Sequence, residues 1–296
     1  MGRKDGFPGI GERVRDLLED FEVVGTVAEI ALISRQPERT ALHENMHAAI
    51  VASTFGLTSI DYAKRKYFSS QKDFRPHPSS TELSHVYINA YLACKRYVRR
   101  MIEKINTDGL PQPSNGVFGA SLVLERLPYS FFSAHMLYRL GHRYEGHAVA
   151  RLILEQIAWA YAAYTMDDKE DIDRIVTTKS ISRLKNFVPE TGMLYGFLSD
   201  KTHIDYRNHK EFIQTDTGKN VVVYAQPMFK EYAIVMLNLA DLFGIVWEVS
   251  QLDYLPDVKT IQVSGDDIDL NPTRPFLVEK QISLEEFDKI EEMSKN

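Results

Sequence analysis

A single cysteine, Cys94, occurs in 296 residues. That excludes an internal disulfide and any all-thiolate metal site, and it points to a reducing compartment. The opening stretch MGRKDGFPGIGERVRDLLED holds no apolar run of the signal-peptide kind, so export is not expected. Gly2 follows Met1, but position 6 is Gly6 and not serine or threonine, and the myristoylation pattern fails. A positive balance is also missing. The 35 Lys and Arg against 41 Asp and Glu leave a net charge of −6, which argues against bulk electrostatic capture of nucleic acid while leaving room for a local basic patch. What is present is ordinary for a globular chain: 44% hydrophobic and 26% charged residues, enough for one large or two modest domains. The expectation is a soluble, cytoplasmic protein with no membrane span.

Two loop signals divide the chain. Residues 69–80 carry Pro76, Pro78 and four serines, and residues 106–116 carry Gly109, Pro111, Pro113 and Gly116; neither continues a helix. The second is the preferred boundary. Helical patterns are read over Gly11–Arg35, Ala41–Phe55, Thr81–Lys104, Val117–Leu140 (with a break near Pro128) and Glu145–Tyr164. Asp167–Asp171 reads as a solvated turn into a further helix through Lys185, and others follow over Met193–Thr202 and Phe229–Val249. Glu22–Val27 is β-branched enough to be a strand instead. The stretch Ala148–Tyr161 is apolar nearly all round, so it belongs at the centre of a bundle, where every face finds a partner. Glu211–Thr215 and Asn220–Tyr224 flank Asp216-Thr217-Gly218-Lys219, a hairpin signal. Lys259–Val263 and Phe276–Glu279 read as short strands, and Ser283-Leu284-Glu285-Glu286 as a capping box that opens a last acidic helix. The predicted fold is all-α, a mostly helical bundle with one small β-hairpin near 211–224. Its parts are an N-terminal helical region (1–110), a bundle with the hairpin (117–252) and a tail with short strands and a helix (253–296).

Three constellations bear on chemistry. His43-Glu44-Asn45-Met46-His47 matches H-E-x-x-H, whose two imidazoles share one helix face and can hold zinc while the glutamate deprotonates bound water. No histidine follows His47 at four or six residues, and the first downstream glutamate is Glu82. The pattern therefore reads as a helix surface, with a zinc hydrolase as an alternative, and no metal or cofactor is expected. Glu44-x-x-His47 and Glu82-x-x-His85 also match the pairs of di-iron bundles, but no glutamate lies between them to complete the set. The second constellation is Arg151 and Glu155, one turn apart on the apolar helix and expected to meet. Charges there need partners, and the polar run Leu198–His209 can supply them. His203 would then share a proton with Glu155 as general acid/base beside a fixed Arg151 charge, or the group is a network that fixes helix docking. The third is a basic face, Lys95, Arg96, Arg99, Arg100 and Lys104 with Tyr97 interleaved, and Lys64, Arg65 and Lys66 beside Tyr67 and Phe68, the mixture that suits single-stranded nucleic acid.

Leu124-Glu125-Arg126-Leu127-Pro128, Leu137-Tyr138-Arg139-Leu140-Gly141, Ala150-Arg151-Leu152-Ile153-Leu154-Glu155 and Leu198-Ser199-x-x-x-His203 with the following hairpin resemble a helical domain of uncharacterised proteins related to HEPN-like domains of abortive-infection and toxin systems. The resemblance covers about 117–250. It implies Arg151, Glu155, Ser199 and His203 as the characteristic positions, an antiviral or toxin effector acting on RNA, and ribonuclease activity as the reaction. Active HEPN ribonucleases carry Arg and His with four to six residues between them. Here Arg143 and His147 have one too few, and no other of the 9 histidines fits. The departure favours the other reading, a non-catalytic interaction or sensor module that self-associates through its apolar helices. RNA and a second copy of the chain are the expected partners.

Overall fold

The computed structural model describes residues 21–25, 30–34, 40–68, 78–105, 112–203, 206–210, 213–216, 219–222, 228–265 and 267–293, and the chain divides into two units, Met1–Glu82 and Leu83–Asn296. In the first unit, β1 (Phe21–Gly25) and β2 (Ile30–Ser34) pair antiparallel, Phe21 opposite Ser34 and Gly25 opposite Ile30. This corrects the helix read over Gly11–Arg35. Val23, Val24, Ile30 and Ile33 are β-branched and lose less freedom in extended backbone; residues 11–20 lie outside the described residues. Helix α1 (Thr40–Thr54) follows. Helix α2 (Ile60–Ala63) is capped by Ser59, whose hydroxyl accepts from the Tyr62 amide at 3.1 Å, and Lys64–Phe68 continue as a π turn. A small apolar cluster of Ala48, Ala52 and Ala63 with Val51 and Leu57 holds α1 and α2 together.

The second unit begins within α3 (Pro78–Glu103). Its start corrects the last three residues of the loop read over 69–80, Pro78–Ser80, while residues 69–77 lie outside the described residues. Proline suits the first helical position, where its missing N–H has no acceptor to lose. Helix α4 (Asn115–Arg139) runs unbroken through Pro128, where a break was expected; burial of Leu124, Leu127 and Phe131 on both sides of the proline holds the helix across it. At its end Gly141 takes φ 78°. The His142 amide then reaches the Leu137 carbonyl at 2.9 Å and the Gly141 amide the Tyr138 carbonyl at 3.1 Å, a Schellman closure that needs a left-handed residue. This turn sets α5 (Arg143–Ala163) back against α4.

Helix α5 packs on α4, α7 (Thr177–Phe187), α8 (Glu190–Thr202) and α10 (Phe229–Ser250), as a helix without a polar face must. The turn expected at Asp167–Asp171 holds a short helix, α6 (Lys169–Asp173), which ends in a tight turn in which the Arg174 and Ile175 amides each bond carbonyls three residues back at 3.2 Å, and the helix expected through Lys185 is α7. Short α9 (Tyr206–His209) precedes the hairpin of β3 (Ile213–Asp216) and β4 (Lys219–Val222), in which Asp216 lies opposite Lys219. Helix α10 is buried over nearly its whole length and packs on α4, α5, α8 and α11 (Phe276–Met293). The strands β5 (Ile261–Ser264) and β6 (Asp267–Leu270) form another hairpin, and Ile261, Phe276 and Phe287 are buried in the common core. Phe276–Glu279 is the start of α11 and not a strand, and Ser283 lies inside that helix, so its capping box caps nothing. The helix begins just after Pro275, with Phe276 stacked on Tyr97 at 4.4 Å.

The fold is thus all-α with small two-stranded hairpins. Among the described residues one helix, α10, is long and apolar enough to cross a membrane, with mean hydropathy 1.6; 89% of that window is buried inside the protein. Close packing elsewhere depends on small residues. A Cβ on Gly146 would lie 2.4 Å from the Tyr138 ring, which is fully buried, whereas one on Gly196 would meet nothing within 4 Å. Gly146→Ala therefore lowers stability by about 2 kcal/mol as overpacking outweighs helix propensity. Gly196→Ala raises it by about 0.5 kcal/mol. Urea unfolding midpoints at unchanged m-value check both signs.

Candidate functional site

The sequence-predicted pair forms. Arg151 and Glu155 meet on α5, Nε to Oε1 at 2.9 Å, both side chains partly exposed. The partners arriving from α8 are Tyr195 and Thr202. The Arg151 guanidinium donates to the Tyr195 hydroxyl at 3.1 Å, lies 5.2 Å from its ring centre, and reaches Thr202 Oγ1 at 3.4 Å. His203 does not join them. It ends α8, its amide bonded to the Ser199 carbonyl at 3.1 Å, and its ring is exposed. Ser199 enters through its backbone, its carbonyl accepting also from Thr202 Oγ1 at 3.2 Å. Among the described residues no hydrogen bond links His203 to Glu155, so the proton-sharing arrangement expected from the sequence is absent. A helix C-terminus followed by extended backbone turns that side chain to solvent. What the group does is dock α8 on α5.

Of the basic set, Arg96, Arg99 and Arg100 are exposed on the C-terminal half of α3, and Lys95 is half-buried. Arg99 pairs with Glu103 at 2.8 Å. Arg96 and Arg100, one turn apart, have no acidic partner among the described residues. In the H-E-x-x-H stretch, Glu44 is exposed and His47 half-buried on α1, while the His43 side chain lies outside the described residues. Among the described residues no three His, Cys, Asp or Glu side chains gather as metal ligands.

The densest polar cluster lies elsewhere. His147 on α5 is wholly buried, its Nδ1 2.9 Å from the Tyr138 hydroxyl and its Nε2 2.9 Å from Glu231 Oε1. A carboxylate only accepts, so Nε2 carries the proton. Arg143, one turn before His147, donates to both Glu231 oxygens at 2.7 Å. Burial by itself would raise the Glu231 carboxyl, but hydrogen bonds from His147 and Arg143, and the Arg143 charge, hold it down to about 2. Tyr138 stacks on Tyr232 at 4.2 Å, and burial pushes its hydroxyl well above the ordinary tyrosine range. Next to it, His135 is clamped flat against Tyr91 at 3.7 Å and bonded to the Tyr87 hydroxyl at 3.2 Å. Burial, then the Arg139 and Lys95 charges, push His135 well down, so it is neutral. Arg139 also hydrogen-bonds Ser84 Oγ. The i, i+4 spacing of Arg143 and His147 was the one visible signal for this cluster. Their shared acceptor is too distant in sequence to be paired by pattern.

Glu231 opens one side onto a cleft of about 620 Å³ walled by α8, α10 and α11. Its apolar lining includes Leu194, Phe197, Ile234, Val235, Leu242 and Leu277, and Met193 at the rim is 72% exposed. Of the acids along the wall, Glu190 is exposed to solvent while Asp241 and Glu291 are paired. Asp241 takes Arg274 Nε at 2.9 Å and Nη2 at 2.8 Å, and Glu291 takes Lys230 at 2.8 Å. Comparison with known proteins supplies no further constraint: no family model, curated protein or solved structure matches the chain.

The depressed Glu231 carboxyl makes a pH-dependent contribution with a definite sign. Its ordinary value is 4.5 and its folded value about 2. The stability is therefore complete above about pH 4.5 and lost as pH falls toward the folded value. Roughly 2 kcal/mol should disappear between pH 6 and pH 3 in the natural chain. Glu231→Gln should cost about 3 kcal/mol at pH 6, because Arg143 is left without its counter-charge, and that variant should show the smaller loss on acidification. Urea titrations at the two pH values measure both.

Proposed function

We propose that the second unit is a non-catalytic binding or sensor module that takes a small amphipathic molecule in the cleft between α8, α10 and α11. The single observation that carries this reading is the cleft itself: about 620 Å³, within the range of small-molecule sites, apolar over most of its lining with a few polar groups at fixed places. Among the described residues no acid/base stands poised at the cleft, which supports the non-catalytic side. His147 offers no exposed atom and has both ring nitrogens bonded, and the exposed His203 stands apart from Arg151 and Glu155. A sensor of this kind in an abortive-infection or toxin system is the setting that the HEPN-like resemblance implies. The test is binding of an uncharged, environment-sensitive fluorescent dye to the full chain. Ile234→Trp, which fills the cleft from its wall, should abolish the signal while the circular-dichroism melt stays close to that of the natural chain. Met193→Asp at the exposed rim should weaken it several-fold. A dye that binds equally to all three proteins overturns the reading.

A second reading, retention of single-stranded RNA on α3, is favoured by Arg96 and Arg100, exposed one turn apart without an acidic partner among the described residues. Fluorescence anisotropy with an unstructured RNA at low salt should register binding, and changing both arginines to alanine should weaken it. The salt slope should fall by roughly 1.4, two single-strand phosphate contacts at about 0.7 each. An unchanged slope would remove this reading.

A further inference from the structure

We infer that the molecule taken by the cleft is an anionic amphiphile, an apolar body with one carboxylate, and that Lys280 on α11 together with Asn238 on α10 receives its head group. This rests on the binding-module reading above and names the ligand class of the same cleft. The argument comes from following each charge along the walls. Glu231 is neutralised by Arg143 and lies against His147. Asp241 is neutralised by Arg274 through three contacts of 2.8–3.0 Å. Glu291 shares Lys230 with Asp288, at 2.8 and 2.6 Å. Glu190 is exposed to solvent, and its field falls on Arg274.

Lys280 differs from these. It lines the cleft half-buried, and its ammonium donates to Asn238 Oδ1 at 2.6 Å. A neutral amide satisfies one of three N–H donors and none of the charge. The same contact fixes the Asn238 amide with its oxygen toward the lysine, which leaves Nδ2 as a second donor beside the ammonium. The pair thus presents a cation and an N–H at one spot between apolar side chains of the wall. Ile234 and Leu242 stand one turn to either side of Asn238, and Leu277 one turn before Lys280, so an apolar chain leaving that spot runs over hydrocarbon. A carboxylate matches both donors at once, whereas a neutral head group leaves the Lys280 charge uncompensated and a cationic one meets it directly.

The probes are decanoate, decanol and decyltrimethylammonium, each displacing the uncharged dye from the full chain. Decanoate should displace it at about tenfold lower concentration than decanol, with the trimethylammonium weakest. Lys280→Gln should erase the preference, bringing decanoate to the level of decanol; Lys280→Arg should retain it. Equal displacement by all three probes, or a decanoate preference that survives Lys280→Gln, overturns the inference and leaves the binding module standing. Failure of the dye and of every probe to bind overturns both.

Discussion

Glu231 receives two donors from Arg143 and lies against one nitrogen of His147, whose other nitrogen meets Tyr138. This chain of contacts crosses three helices, α4, α5 and α10, at the end where the Gly141 turn reverses the chain. A charge so placed is costly unless every lone pair and proton is used, and here the arginine and the imidazole cover both oxygens. Removing any member strands the others in a low-dielectric interior. Tyr87, Tyr138, Tyr232 and His135 surround this clamp in edge-on and stacked contacts. The same clamp forms one end of the cleft, so cleft and core share a boundary.

That arrangement separates two roles that histidines and carboxylates often combine. A general acid/base needs a proton that can leave, a substrate within reach and a moderate affinity for that proton. Glu231 faces the cleft, but its partners hold it firmly ionised. His147 has the hydrogen-bond geometry of a relay, yet sits where no solute arrives. The cleft therefore meets an anchored carboxylate held ionised by its partners, and the proposed role is recognition by shape and charge.

Much of the architecture was legible because it follows from local periodicity. The all-round apolar character of α5 placed it centrally, the i, i+4 spacing gave the Arg151–Glu155 contact, and the Asp216–Lys219 turn marked the β3–β4 hairpin. The errors have local causes too. Phe276–Glu279 looks extended by composition, but the preceding Pro275 and the Tyr97 contact start a helix there. Ser283 has a capping pattern and no helix end to cap. The site was less legible. Arg143 and His147 were noticed for a spacing that misses a nuclease pattern, while their meaning lies in an acceptor 84 to 88 residues away. The sequence pairs His203 with Glu155 because both are polar near apolar helices, whereas the extended backbone of His203 at the end of α8 leaves its side chain exposed. Lys280 and Asn238 had no motif at all; their importance comes from what neighbouring charges leave unbalanced.

The lone thiol of Cys94 has a practical consequence. It lies fully enclosed on α3 among the core side chains, and burial, then the field of Glu279, push it far above the ordinary cysteine range. Thiolate is the reacting species in alkylation and disulfide exchange, so native Cys94 is inert to both while that layer stays shut. Its rate of modification by a soluble reagent is then a clock for how often α3 lifts from the bundle, built into the natural chain and free of background from any other cysteine.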